Sequence, residues 1–314
     1  MKKRLLSMLL VLSMMLGMLA IMPMTVGAAD ATVWDGSVAT SFAGGDGSEG
    51  NPYQIANGAQ LALMSEKITN QKDGNYNRAH YKLTADIVLN TGDASTWKAS
   101  APANESTAIG TWSNATSSFG GTFDGDGHTI SGLYISPDSG DNYGLFGAIQ
   151  GGAVIKNFVL VNSYVYSPGG NVAAIAGTTD RSNAGDILIE NIYVDAYVYS
   201  GGANVGGILG TLSNTTYNES YRAGKVTVNK VTFVGTVDAT GKSYVGGIIA
   251  DMRNVSVLIT NCLVNADIKG YTYVAGLAAR SKTTEKVSGK TQDISIWVWS
   301  VVELVSVMAR PGVG

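Results

Sequence analysis

The fold is decided by Ile189-Glu190-Asn191-Ile192-Tyr193-Val194, followed downstream by Val205-Gly206-Gly207-Ile208. The first stretch sets one asparagine among apolar residues; the second is a patch of small ones. Both recur. The marker returns as Ile155-Lys156-Asn157-Phe158, Val228-Asn229-Lys230-Val231 and Ile259-Thr260-Asn261-Cys262, with a degenerate copy at Ile130-Ser131-Gly132-Leu133. The patch returns at Tyr143–Gly147, Val172–Ile175, Val245–Ile248 and Val274–Leu277. Marker to marker, from Gly132 through Asn157, Asn191 and Lys230 to Asn261, the spacings are 25, 34, 39 and 31 residues. Self-similarity at such a period is the mark of stacked repeats. Most length variation falls between the patch and the next marker, so insertions leave the coil from one corner.

Residues one and three after each marker are apolar, as in Phe158 and Leu160 or Val231 and Phe233. That alternation describes a strand with one buried face. The small patches fall where a backbone must bend or pass close to its neighbour. No helix-length amphipathic pattern separates the strands, which argues against βαβ units and leucine-rich-repeat horseshoes. The expectation is an all-β chain, a parallel β-helix. Asn157, Asn191 and Asn261 then fall at one turn of successive coils, a structural ladder of stacked amides at a left-handed backbone position. Cys262 takes the inward phase and reads as a buried thiol.

The first repeat is preceded by something different. Gly44 to Gly50 form a flexible turn, and Asn57 is placed to cap a short helix with Leu61, Met64 and Ile68 on one side. Tyr81 to Leu89 then alternates as a strand. A helix here covers the open end of a β stack. Earlier still, Lys2-Lys3-Arg4 leads an apolar run from Leu5 to Met22, and Val26-Gly27-Ala28 supplies small residues. This is the secretory signal pattern. The expected organisation is a signal peptide at 1–28, a linker and cap at 29–60, β-helix repeats at 61–280 and an irregular tail at 281–314. The tail loses the marker and the patch, so it reads either as the product of a truncated or frameshifted reading frame or as a hydrophobic cap strand.

Composition agrees. The chain of 314 residues holds 40 glycines and only 14% charged residues, with one cysteine and two histidines. One cysteine excludes a disulfide scaffold and a thiolate metal cluster. Without residues 1–28, 18 basic residues face 24 acidic ones, a charge near −6. An acidic chain of this kind has no electrostatic footprint for nucleic acid or for an anionic membrane.

Three stretches carry a family resemblance: Gly50-Asn51-Pro52-Tyr53-Gln54-Ile55 with Gln60-Leu61, then Tyr81 to Ile87, then Phe119 to Leu133. With Gly144-Leu145-Phe146-Gly147, they resemble secreted bacterial pectin-lyase-like β-helix proteins carrying the GLUG motif. The resemblance covers residues 44 to 280 and implies a right-handed parallel β-helix with the short N-terminal capping helix. It also implies a secreted or cell-surface module with a structural or adhesive role. Such a module is not an enzyme; its partners are polysaccharide or a host or cell-wall protein, and no membrane beyond the signal peptide. A polysaccharide lyase or glycoside hydrolase of the same fold is the alternative, and a fragment of a larger surface protein without function of its own is the third.

Two clusters are the nearest approach to chemistry. Asp124 and Asp126, in Asp124-Gly125-Asp126-Gly127-His128, are candidate Ca2+ ligands, set against a pair of Asx turns entering a strand. No other cofactor is expected. Asp195, Asp238 and Asp267 share the outward phase, and equal spacing to Gly247 and Gly276 makes Asp238 and Asp267 expected neighbours. With Tyr193 and Tyr197 they form the candidate ligand-binding face, supported by Tyr164, Tyr166 and Tyr199 and by the loop at 211–224. No Arg or Lys repeats at a matching phase to serve as a lyase base, and no catalytic residue is expected.

Overall fold

The computed structural model describes residues 32–70, 76–113, 116–179, 185–213, 224–253, 255–282, 296–299, 302–303 and 306–309; the expected signal segment lies outside them. The described chain is mostly β, built from parallel sheets with few helices. From residue 154 to 282 it repeats one itinerary. A long strand joins the first sheet: Val154–Ser167, Ile187–Ser200, Val226–Asp238, then Val257–Thr260 with Leu263–Gly270. A short strand joins the second sheet (Gly170–Val172, Ala203–Gly206, Ser243–Gly246, Thr272–Ala275). Another joins the third (Ala176–Thr179, Leu209–Ser213, Ile249–Arg253, Ala278–Lys282). Each pairs in parallel with its counterpart one repeat away. Parallel neighbours need a crossover, and here the two short strands supply it.

The marker bends the long strand. Asn157, Asn191, Lys230 and Asn261 have φ of 60°, 54°, 52° and 53°. One left-handed residue removes a place from the alternation, so Ile155 before it and Phe158 and Leu160 after it are all buried. Inward residues stack in register: Phe123, Ile155, Ile189, Val228 and Ile259 form one column, each with no exposed surface. Burying each such side chain contributes about 1.5–3 kcal/mol. Cys262 is buried in the same core, as its phase requires. The patches mark close approach: a Cβ on Gly247 would lie 2.0 Å from the carbonyl oxygen of Gly276.

Three expectations need correction. Gly132 is not the first marker. Asp124 pairs with Lys156, which puts Gly125 opposite Asn157, whereas Ser131 pairs with Val161. Counting from Gly125 lengthens the first repeat from 25 to 32 residues, in line with the others. The boundary at 60/61 cuts through the helix Gly58–Asn70, which starts where the Asn57 side chain accepts from the Gln60 amide (3.0 Å) and the Gln60 side chain from the Ala56 amide (2.8 Å). Leu61, Met64 and Ile68 are buried, as the sequence implies, but strand Tyr53–Ile55 precedes the helix and already pairs with Tyr81–Leu83. Finally, the tail is not irregular throughout. Ile296–Trp299, Val302–Glu303 and Ser306–Ala309 pair in parallel with Val257–Thr260 and Leu263–Gly270. Backbone pairing alone extends the first sheet there, without the marker that would have announced it.

Candidate functional site

The asparagine ladder is real but shorter than expected. Asn191 donates to the Asn157 side chain (3.0 Å), and Asn157 donates to Asp124 (3.0 Å). Lys230 breaks the column, and Asn261 instead donates to Asn229 (3.0 Å). A second ladder was missed. Asn142, Asn171 and Asn204, with φ of 68°, 48° and 64°, bond in series at 3.1 and 2.8 Å ahead of the small patches. Tyr244 and Tyr273 continue that position with stacked rings 5.0 Å apart. The signal was present, since each of these residues immediately precedes its patch.

The candidate Ca2+ ligands are turned to lysines. Lys82, Asp124, Lys156 and Glu190 form one column of alternating charge across the first sheet. Asp124 lies 3.3 Å from Lys156, and Asp126 lies 2.9 Å from Lys82. Burial opposes ionisation of Asp124, yet its carboxyl stays below the usual carboxylate range because the Asp126 amide, Asn157 and Lys156 favour the charged form. The Asp124 side chain accepts from the Asp126 amide at 3.0 Å, which is the Asx turn. Among the described residues no group of three or more His, Cys, Asp or Glu side chains could hold a metal.

The outer face of the first sheet is where the tyrosines meet. In register, Tyr134, Tyr164, Tyr197, Thr236 and Asp267 form one column, and Tyr166, Tyr199, Asp238 and Lys269 the next. Tyr134 and Tyr164 stack at 5.5 Å, and Tyr164 meets Tyr199 at 5.3 Å. A distant segment closes one side. The short turn Ala94–Thr96, capped by Asp93, brings Trp97 edge-on to Tyr134 (5.9 Å) and the Lys98 ammonium over the Tyr199 ring (4.4 Å). The hook is Asn162, a left-handed extra residue that shifts the register opposite Val194 and Ala196. Its side chain accepts from the Ala94 amide (2.9 Å) and donates to the Gly92 carbonyl (2.8 Å). Trp97, Lys98, Tyr134 and Asn162 were not singled out from the sequence.

The predicted face is therefore assembled only in part. Tyr193, Asp195 and Tyr197 alternate outward along one strand, half-buried, as expected. Asp238 and Asp267 are not opposite one another: Asp238 faces Lys269, and Asp267 faces Thr236. Lys269 bonds Asp267 at 2.7 Å, and this bond, with the nearby carboxylates, raises its pKa. Asp195 is different. Among the described residues it has no hydrogen-bond or ion-pair partner, and burial, then the nearby Asp93, push its carboxyl up. Burial and Asp195 in turn raise the Tyr193 hydroxyl. Of the loop at 211–224, residues 214–223 lie outside the described residues.

No protein-family model matches the chain. Over 149 residues, 46% of its length, it is 34% identical to "Halomucin" of Haloquadratum walsbyi, the match spanning 2% of that protein. Over 168 residues, 54% of its length, it is 30% identical to a "Putative Gly-rich membrane protein" of Evansella cellulosilytica, the match spanning 16% of it. The chain thus spans only a small part of both curated relatives. A solved structure, "a putative immunoglobulin A1 protease from Bacteroides ovatus", superposes with a TM-score of 0.50 over 85% of this chain and 87% of that one, at 19% identity. At that identity the likeness concerns the fold alone.

Proposed function

We propose that the chain is an exported surface module, a right-handed parallel β-helix of the GLUG-bearing kind, that binds polysaccharide and performs no catalysis of its own. The architecture is supported by the recurring order of one long and two short strands, each parallel to its counterpart one repeat away. The hand follows from the general rule that crossovers between parallel strands of one sheet are right-handed in about 98% of cases. Export is supported by the signal pattern of residues 1–28, and a surface role by relatives whose names refer to a mucin and a membrane protein.

The observation that carries the binding reading is the half-buried row Tyr193, Tyr197 and Tyr199 on the outer face of one strand, beside the buried cluster of Trp97, Tyr134 and Tyr164 and under the Lys98 ammonium. Aromatic faces beside hydrogen-bonding groups suit sugar rings, whose C–H faces are apolar and whose rims are polar. Rings held on a rigid sheet lose little freedom on binding. The purified chain is expected to bind immobilised polysaccharide, screened across pectin, alginate, glycosaminoglycan and chitin-type polymers with and without Ca2+. Tyr197→Ala is expected to weaken that binding. Release of reducing or unsaturated ends would overturn the non-catalytic reading, and retention by a wall protein but by no polysaccharide would overturn the ligand class.

A further inference from the structure

We propose that a second place on the chain, the corner between the second and third sheets in the last two repeats, binds a sugar ring that carries a sulfate or phosphate ester. The proposal rests on the polysaccharide-binding reading and adds to it a charge and a contact away from the first sheet. The residues are Arg253 and Arg280 with Tyr244 and Tyr273. In the earlier repeats this corner is neutral. One column of the third sheet runs through Ala148, Thr178 and Thr211 before it reaches Asp251 and Arg280. There the Thr211 hydroxyl donates to Asn171 of the second asparagine ladder (2.7 Å). In the last two repeats the ladder position turns aromatic and the column turns ionic.

The exchange works against stability. Asn171 and Asn204 each donate to the asparagine before them, but Tyr244 has no amide to donate in turn. The buried Asn204 Oδ1 has no hydrogen-bond partner among the described residues, which is costly for an acceptor. Tyrosines at φ of 64° and 54° are outliers as well, because a bulky side chain is strained in the left-handed region. What the exchange supplies is a surface. The Arg280 guanidinium lies 3.8 Å from the Tyr244 ring centre, Tyr244 stacks on Tyr273 at 5.0 Å, and Tyr273 is 60% exposed on the last described strand of its sheet. Asp251, which has no exposed surface, orients both guanidiniums: it accepts from the Nε of Arg253 (2.6 Å) and of Arg280 (2.6 Å), and pairs with the Nη2 of each. Two positive charges held by one carboxylate make the corner cationic in a chain of negative net charge. With the Nε–Nη2 edges taken, neither arginine offers its fork to a ligand carboxylate. The Nη1 sides that remain are donors from two separate strands, which suit the three terminal oxygens of a tetrahedral ester better than a planar carboxylate. The open Tyr273 ring receives the sugar that bears it.

The test uses the full chain with dextran sulfate, dextran phosphate, carboxymethyl dextran and plain dextran of one length, compared by titration calorimetry at low salt and near neutral pH. At least one of the two esters is expected to bind about tenfold more tightly than carboxymethyl or plain dextran, the worth of one charge-assisted hydrogen bond, and the tighter ester identifies the oxyanion. Tyr273→Asn returns the ladder residue to its position, so it is expected to weaken ester binding while leaving the urea midpoint unchanged or higher. Arg253→Gln, which leaves Asp251 paired with Arg280, is expected to weaken ester binding about tenfold. Lys67→Gln, at a cation that lies over Tyr76 in the N-terminal cap, is expected to leave it unchanged. Equal binding of the four dextrans, or a Tyr273→Asn chain that binds the esters as the parent does, overturns the proposal; the polysaccharide reading then stands on whichever polymer the chain retains. Silence from every polysaccharide removes that reading as well. Carboxymethyl dextran or polyglutamate that binds as tightly as the esters also overturns the proposal, as does an equal loss in Lys67→Gln, since charge alone would then account for the binding.

Discussion

Replacing Gly247 by alanine tests the stacking of the repeats at one of their close backbone contacts. The added Cβ would stand 2.0 Å from the carbonyl oxygen of Gly276 and 2.7 Å from a Val264 methyl. Ordinary contact begins near 3.4 Å, so the backbones must separate by 1.4 Å. Neighbouring strands lie only about 4.7–4.9 Å apart, so the shift is a large fraction of the spacing. It strains the bonds from the Gly247 amide to Ala275 (3.1 Å) and from the Ile248 amide to Leu277 (2.9 Å). Overpacking costs about 1–3 kcal/mol and each weakened backbone bond about 1 kcal/mol, so a loss of about 3 kcal/mol is expected. For a chain of this size that lowers Tm by about 6–12 °C. Gly50→Ala is the control, because nothing lies within 4 Å of its added Cβ and its φ is not positive. Urea midpoints and thermal circular dichroism of both variants read the difference. A Gly247→Ala protein within about 0.5 kcal/mol of the Gly50→Ala protein would refute close backbone stacking as the reason for the glycine patches.

Other substitutions probe the remaining devices. Lys230 holds φ of 52° at a ladder position, and Lys230→Asn should stabilise the chain by about 0.5–1 kcal/mol in urea unfolding, since asparagine tolerates that conformation better; Lys230→Ala should not. Burial pushes the Cys262 thiol up to about 11 from 9.0, so its contribution is complete below pH 9 and is lost as pH rises toward 11, by about 2–3 kcal/mol. Cys262→Ala should flatten the stability curve across that window relative to the parent, and an unchanged slope would exclude a buried neutral thiol. The Asp195 carboxyl is also raised, so its ionisation costs stability as pH climbs through the shifted value. Asp195→Asn should therefore stabilise the unliganded protein at pH 7, by less than about 1 kcal/mol after solvent screening, and not at pH 3.

The parts of the fold that could be read from the sequence are those set by local backbone demands. A left-handed residue in mid-strand and a glycine that another backbone touches each restrict residue type strongly, so Asn157, Asn191, Gly207 and Gly247 stand out in a single sequence. Where two residues meet the same demand, reading fails. Gly125 and Gly132 both suit a tight position, and only pairing of Asp124 with Lys156 identifies Gly125 as the marker. The strands between 296 and 309 illustrate the opposite case, because hydrogen bonds to a neighbouring strand ask little of side-chain identity.

The outer face divides along the same line. Phase within one strand is local, and it correctly turned Tyr193, Asp195 and Tyr197 outward together. Relations between strands depend on the turns that join them, and those differ. Asp238 and Lys269 are partners, as are Ser243 and Thr272, so the last repeat makes the turn between them two residues shorter. Counting back from Gly247 and Gly276 assumed equal turns and therefore slid Asp267 into the place that Lys269 holds. The sign of the charge opposite Asp238 changed with that slip, from repulsion to attraction, which relieves one end of the face and leaves Asp195 as its carboxylate without a cation among the described residues. The wall at Trp97 lay further out of reach, because it comes from a segment distant in sequence. Its one local trace is Asn162: the strand Val154–Ser167 carries an extra residue there that Ile187–Ser200 lacks, and an extra residue in a tightly stacked repeat has to be held in place by something outside it.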